Sequence, residues 1–181
     1  MLAWLKQRGI LRRTARSLYG SIVTQARSRP VYASWGVPDT AEGRFEIIVL
    51  HLVLVLRRLA SEGKQGAALA RALTEAFVVD FDDTLREMTV GDLDVPRHVK
   101  HAVAAIHDRY STYGSALNGT QESLLVAAVE ARLGTLDGAE GLATNEICAY
   151  IRTAAQALEL QSGPWIFEGD LAWPQAGKTE P

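Results

Sequence analysis

A chain of 181 residues, 48% hydrophobic and 22% charged, is long enough for one domain with a substantial core. The net charge of -2 gives no general pull toward nucleic acid, and the single cysteine, Cys148, excludes an internal disulfide. The charge is unevenly placed: of 19 basic residues, Lys6, Arg8, Arg12, Arg13, Arg16, Arg27 and Arg29 precede the first acid, Asp39, leaving 12 basic against 21 acidic residues beyond. A basic head on an acidic body points to a surface role for the head, on anionic lipid or on nucleic acid.

Leu2 to about Ser28 reads as one amphipathic helix, with Leu2, Leu5, Leu11, Leu18, Ile22 and Val23 mostly on one side and the cations elsewhere. Trp4, Lys6, Arg8, Arg12, Arg13 and Arg16 form a candidate membrane-surface set. The same pattern also fits a core-packing helix with a solvated basic face. Charge interrupts the N-terminal apolar residues before a secretory signal can form; an Arg-rich transit peptide is disfavoured because the helix runs directly into the domain. Residues 29–39 hold Pro30, Gly36 and Pro38 and predict a loop carrying Tyr32 and Trp35.

The next element organises the chain. From Ile47 to Leu56 every residue but His51 is large and apolar, and a helix that is apolar all round must be enclosed. Asp39 followed by Glu42 has the spacing of a capping box. Arg44 and Glu46 before the run and Arg57 and Arg58 after it leave too short a span to cross a bilayer. Helices are further predicted from Ala67 to Met88, from a cap at Asp94 to about Tyr113, from Thr120 to Leu133 and from Thr144 to Leu160. No alternation of period two persists, so the expected fold is all-α: a single-domain bundle of about six helices around a buried central one. The chain divides into a basic helix (1–28), a helical domain (29–161) and a Pro-, Gly- and aromatic-rich tail (162–181) with Trp165, Phe167 and Trp173.

A short link at Gly63 sets the central helix antiparallel to its successor. Counting outward from it places Arg44 opposite Asp82 and His51 opposite Glu75. Asp80 lies on its helix's apolar stripe, and a buried carboxylate needs a partner. Arg44, His51, Asp80, Asp82 and Asp83 are therefore expected to form a polar seam, with Arg44 pairing one or more of the aspartates. Catalytic signals are weak. His98 and His101 share a face that His107 does not, the Asp80 to Gly91 stretch lacks the Gly and Glu of a calcium loop, and no phosphate-cradling loop follows a strand. Neither a metal nor another cofactor is expected.

Leu18-Tyr19-Gly20, Tyr32, Gly36-Val37-Pro38-Asp39-Thr40, Gly43-Arg44-Phe45, Leu50-His51, Asp80-x-Asp82, Leu85-Arg86-Glu87-Met88 and Val90-Gly91-Asp92-Leu93 together resemble the ubiquinol–cytochrome c chaperone family. The resemblance covers roughly Leu18 to Leu117 and departs from the pattern at Thr89, where glycine is expected. It implies a non-enzymatic assembly chaperone for the cytochrome bc complex. Mitochondrial members of the family bind newly made cytochrome b, with a small partner protein and beside the ribosome, until haem is inserted. By the same resemblance a chain of this length fits a bacterial member on the cytoplasmic face of the inner membrane, or the matrix side if eukaryotic. Client contact is expected at Tyr32, Trp35, Asp39, Arg86, Gly91 and Asp92. Two rival readings are a lipid- or quinone-binding helical protein, which would need a cavity behind the central helix, and a DNA-binding regulator, which would need a helix-turn-helix in the first fifty residues. Nucleic acid is not an expected partner.

Overall fold

The computed structural model describes residues 2–87, 91, 94–119 and 121–177, with side chains from Lys6 onward. The described residues form α1 (Leu2–Ala26), α2 (Arg29–Ala33), α3 (Ala41–Ala60), α4 (Gly63–Glu87), α5 (Val95–Asn118), α6 (Glu122–Glu130), α7 (Thr144–Leu160) and α8 (Gly163–Glu168), with no strand among them. The all-α expectation is met. The two helices beyond the expected six are short: α2 lies in the predicted loop and α8 in the predicted tail, and each has proline in its first turn, where the missing amide costs nothing.

α3 is the enclosed helix. Ile47, every residue from Val49 to Leu56, and Leu59 are buried, and α1, α4, α5 and α7 pack around it. Full burial of each aliphatic side chain contributes roughly 1.5–3 kcal/mol. The start differs from the expected capping box. Thr40, not Asp39, is the N-cap, its Oγ1 accepting from the Gly43 amide at 3.1 Å. Gly43 is required for close approach, since a Cβ there would strike the Pro38 carbonyl. At the other end Gly63 takes φ +59, the left-handed turn residue that folds α4 back on α3.

The electrostatic tie across the core is not the predicted seam. Glu46, two residues after Arg44, reaches α5, where Arg109 grips it through Nη2 at 2.6 Å and Nε at 3.2 Å. Both side chains are largely buried, at 11% and 14% exposed. Arg109 also donates to Asp108 at 3.0 Å, and Asp108 accepts from Arg132 at 2.8 Å, so the network extends past α6. At the far end of α3, Arg58 donates to the carbonyls of Leu158 (2.9 Å) and Gln161 (2.8 Å) and pairs with Glu62 at 2.6 Å. It places a cation where the C-terminus of α7 carries its partial negative charge.

The tail is packed. Gln161 exchanges hydrogen bonds with the Ala172 backbone at 2.8 and 2.9 Å, and the Trp173 indole donates to Ser21 Oγ at 3.0 Å. Replacing Glu46 by Gln halves the grip on a buried guanidinium, and urea unfolding should show a loss of about 2 kcal/mol. Asp39→Asn, which breaks a solvent-exposed pair, should leave the unfolding midpoint unchanged.

Candidate functional site

His51 is wholly buried midway along α3. Its Nδ1 lies 2.8 Å from the Ile47 carbonyl oxygen one turn back, and its Nε2 lies 2.8 Å from the Tyr150 hydroxyl on α7. The carbonyl can only accept, so Nδ1 carries the proton and Nε2 accepts from Tyr150. Gln25 of α1 completes the set, its Nε2 donating to Tyr150 Oη at 2.9 Å and to the Pro174 carbonyl at 3.1 Å. Trp35 packs on the Tyr150 ring at 4.8 Å and Trp173 meets His51 edge-on at 5.1 Å. Burial drives the His51 pKa down to about 4 against the raising effect of the Ile47 bond, and burial likewise raises that of Tyr150. A neutral imidazole with both nitrogens engaged joins α1, α3 and α7.

The expected seam does not form, and its members lie in separate places. Arg44, in the first turn of α3, is 58% exposed and donates to Asp39 at 2.6 Å, its neighbour across the entry turn. The Asp39 carboxyl is held below its ordinary range by that guanidinium. Asp80 faces α1 rather than α3 and accepts from the Tyr19 hydroxyl at 2.8 Å. Asp82 pairs with Arg86 one turn on at 2.8 Å. Asp83, Asp80 and Glu75 stand with Arg12, Arg16, Tyr19 and Val79 along a cleft of about 450 Å³ between α1 and α4, so Glu75 does not pair with His51. His98 is half-buried and His101 and His107 are exposed; among the described residues no group of His, Cys, Asp and Glu is arranged to hold a metal.

The antiparallel α3–α4 pair also builds an aromatic end. The rings of Phe45, Phe77 and Phe81 lie 5.4 to 6.2 Å apart, Phe77 and Phe81 are stacked at 8°, and Tyr19 meets Phe77 edge-on at 6.3 Å. Phe77 is buried, whereas Phe45 and Phe81 are half-buried and adjoin in sequence the exposed pair Asp39–Arg44 and the pair of half-buried Asp82 with exposed Arg86. Aromatic surface with a charged rim is the anatomy of a protein-binding patch. The count from Gly63 that set Arg44 against Asp82 also sets Phe45 against Phe81, so the pairing was present in the sequence.

Of the residues expected to contact a client, Asp39, Arg86 and Gly91 are exposed. Tyr32 is half-buried, its hydroxyl donating to the Ala26 carbonyl at 2.9 Å. Trp35 is 1% exposed and packed on Tyr150, which removes it as a docking anchor. Asp92, like Met88 to Val90 and Leu93, lies outside the described residues, as does the side chain of Trp4. Lys6, Arg8, Arg12, Arg13 and Arg16 are exposed on α1. Cys148 is buried, and burial pushes its thiol up to about 11.

These features define a helical scaffold whose buried polar groups hold helices together and whose surface carries an aromatic patch beside ion pairs. The chain belongs to the ubiquinol-cytochrome C chaperone family, whose model matches residues 33–173. The fold is similar to that of the crystal structure of the Cbp3 homolog from Brucella abortus, 28% identical, with a TM-score of 0.85 over 99% of this chain and 100% of that one. No curated protein matches the sequence.

His51 binds a proton more weakly when folded (about 4) than in the unfolded chain (6.5), so its contribution is full above the unfolded value and lost as the pH falls toward the folded one. Stability should drop by roughly 2 kcal/mol from pH 7 to pH 5 on this account, and urea titrations of His51→Gln should show a flatter pH profile across that window. Tyr150→Phe, which leaves Nε2 without a donor, should lose about 2 kcal/mol at pH 7 in the same assay.

Proposed function

We propose that this chain is a non-enzymatic assembly chaperone that binds newly made cytochrome b and supports assembly of the ubiquinol–cytochrome c reductase complex. The observation that carries the reading is the family match over residues 33–173, joined to full-length likeness in fold. The working location is the cytoplasmic face of the inner membrane in a bacterium, or the matrix side in a eukaryote. No described helix is long and apolar enough to cross a membrane, which is consistent with action from the surface. A small partner protein and the ribosome are further partners implied by the family.

The client surface in this reading is the aromatic end. Phe45 and Phe81 supply apolar area, and Asp39, Arg44, Asp82 and Arg86 supply a rim of opposite charges. Tyr32 lies within electrostatic reach of Asp39 and Arg44 and belongs to the same end, and exposed Gly91 is a further candidate contact, as is Asp92, which lies outside the described residues. Trp35 acts from beneath, by packing on the core.

Deleting the gene should lower spectroscopically measured b-type haem and the assembled complex, with cytochrome b transcript unchanged and recovery on complementation. Wild-type levels of the complex in the deletion strain would sink the proposal. Arg44→Glu combined with Arg86→Glu should reduce co-purified cytochrome b by about tenfold while leaving the thermal midpoint in place.

A further inference from the structure

α1 presents two charged faces, and only one looks into the molecule. At 3.6 residues per turn Arg12, Arg16 and Tyr19 fall on the side that lines the cleft opposite Glu75, Asp80 and Asp83. Lys6, Ile10 and Arg13 fall on another side and are exposed, and one turn further on the same side reaches Ser17, which abuts Gly169 at the end of α8. Ile10 is 61% exposed, a large apolar side chain set between two cations along a footprint about 10 Å long. No acidic residue precedes Asp39, so nothing within α1 offsets this charge.

We propose that the Lys6–Ile10–Arg13 face of α1 docks on an anionic lipid surface, with Ile10 entering the boundary of the acyl region and the two cations meeting headgroup phosphates. The apolar centre of the stripe decides the partner. An RNA backbone would engage the cations and leave Ile10 in water, whereas a lipid interface accommodates both. With one aliphatic anchor and two central cations the attachment is weak, reversible and salt-sensitive. The inference does not depend on which client the aromatic end receives.

The test is flotation of the full-length chain with vesicles of phosphatidylcholine alone and with vesicles that also contain phosphatidylglycerol. Binding is expected to the mixed vesicles only. Each cation near an anionic surface contributes roughly a fivefold gain, so Lys6→Glu with Arg13→Glu should weaken binding by at least about tenfold, with helix content and thermal midpoint retained. Ile10→Asn should weaken binding further in high salt, where the charge contribution is screened. Equal flotation of the charge-reversed variant, or equal flotation on neutral and anionic vesicles, would overturn the proposal. So would tighter binding to a single-stranded RNA oligonucleotide than to vesicles, with Ile10→Asn harmless to both.

Discussion

The whole arrangement depends on enclosing α3. A helix apolar on every side is stable in water only if each side finds a neighbour. Here α1, α4, α5 and α7 take those sides. Such a helix packs well but offers few features to distinguish one rotation about its axis from another. The polar residues on it supply that information. His51 is satisfied only when Tyr150 and Ile47 stand where they do, Glu46 only beside Arg109, and Arg58 only against the end of α7. Each lies on a different part of α3 and addresses a different neighbour, so together they fix its register against the bundle. A buried polar group that loses its partner costs far more than a misplaced leucine, which makes these few contacts selective as well as cohesive.

With the interior fixed, the surfaces that remain available lie at the periphery. The aromatic end places two half-buried phenylalanines beside two ion pairs, and the helices behind it keep that patch preformed. Preformed patches lose less entropy on association than flexible ones, so more of the contact energy is left for binding. The outer side of α1, proposed above to meet lipid, is separate from this end in sequence and in chemistry.

Much of the fold was legible because helical periodicity, proline and glycine are local signals. The apolar run of α3, the stop at Gly63 and the boundaries of α7 follow from them directly. The short helices α2 and α8 were not legible, since five or six residues around a proline carry too little periodicity to separate helix from loop. The polar contacts were harder again. Register across the Gly63 turn was readable, and it brings Phe45 to Phe81. Rotation about each helix axis was not, so Arg44 was set against aspartates that in fact face α1 or their own helix. Glu46–Arg109 and His51–Tyr150 join residues 63 and 99 positions apart, and no local pattern announces such pairs. The burial of Trp35 is hidden for a related reason: a tryptophan in a loop looks available until the chain folds a tyrosine over it.

The burial of Cys148 has a practical corollary. A thiol that ionises only near pH 11 and lies beneath the surface reacts sluggishly with maleimides and with mild oxidants at neutral pH. The native chain is therefore a chemically silent background, in which a fluorophore or spin label attached through one introduced surface cysteine reports from that position alone.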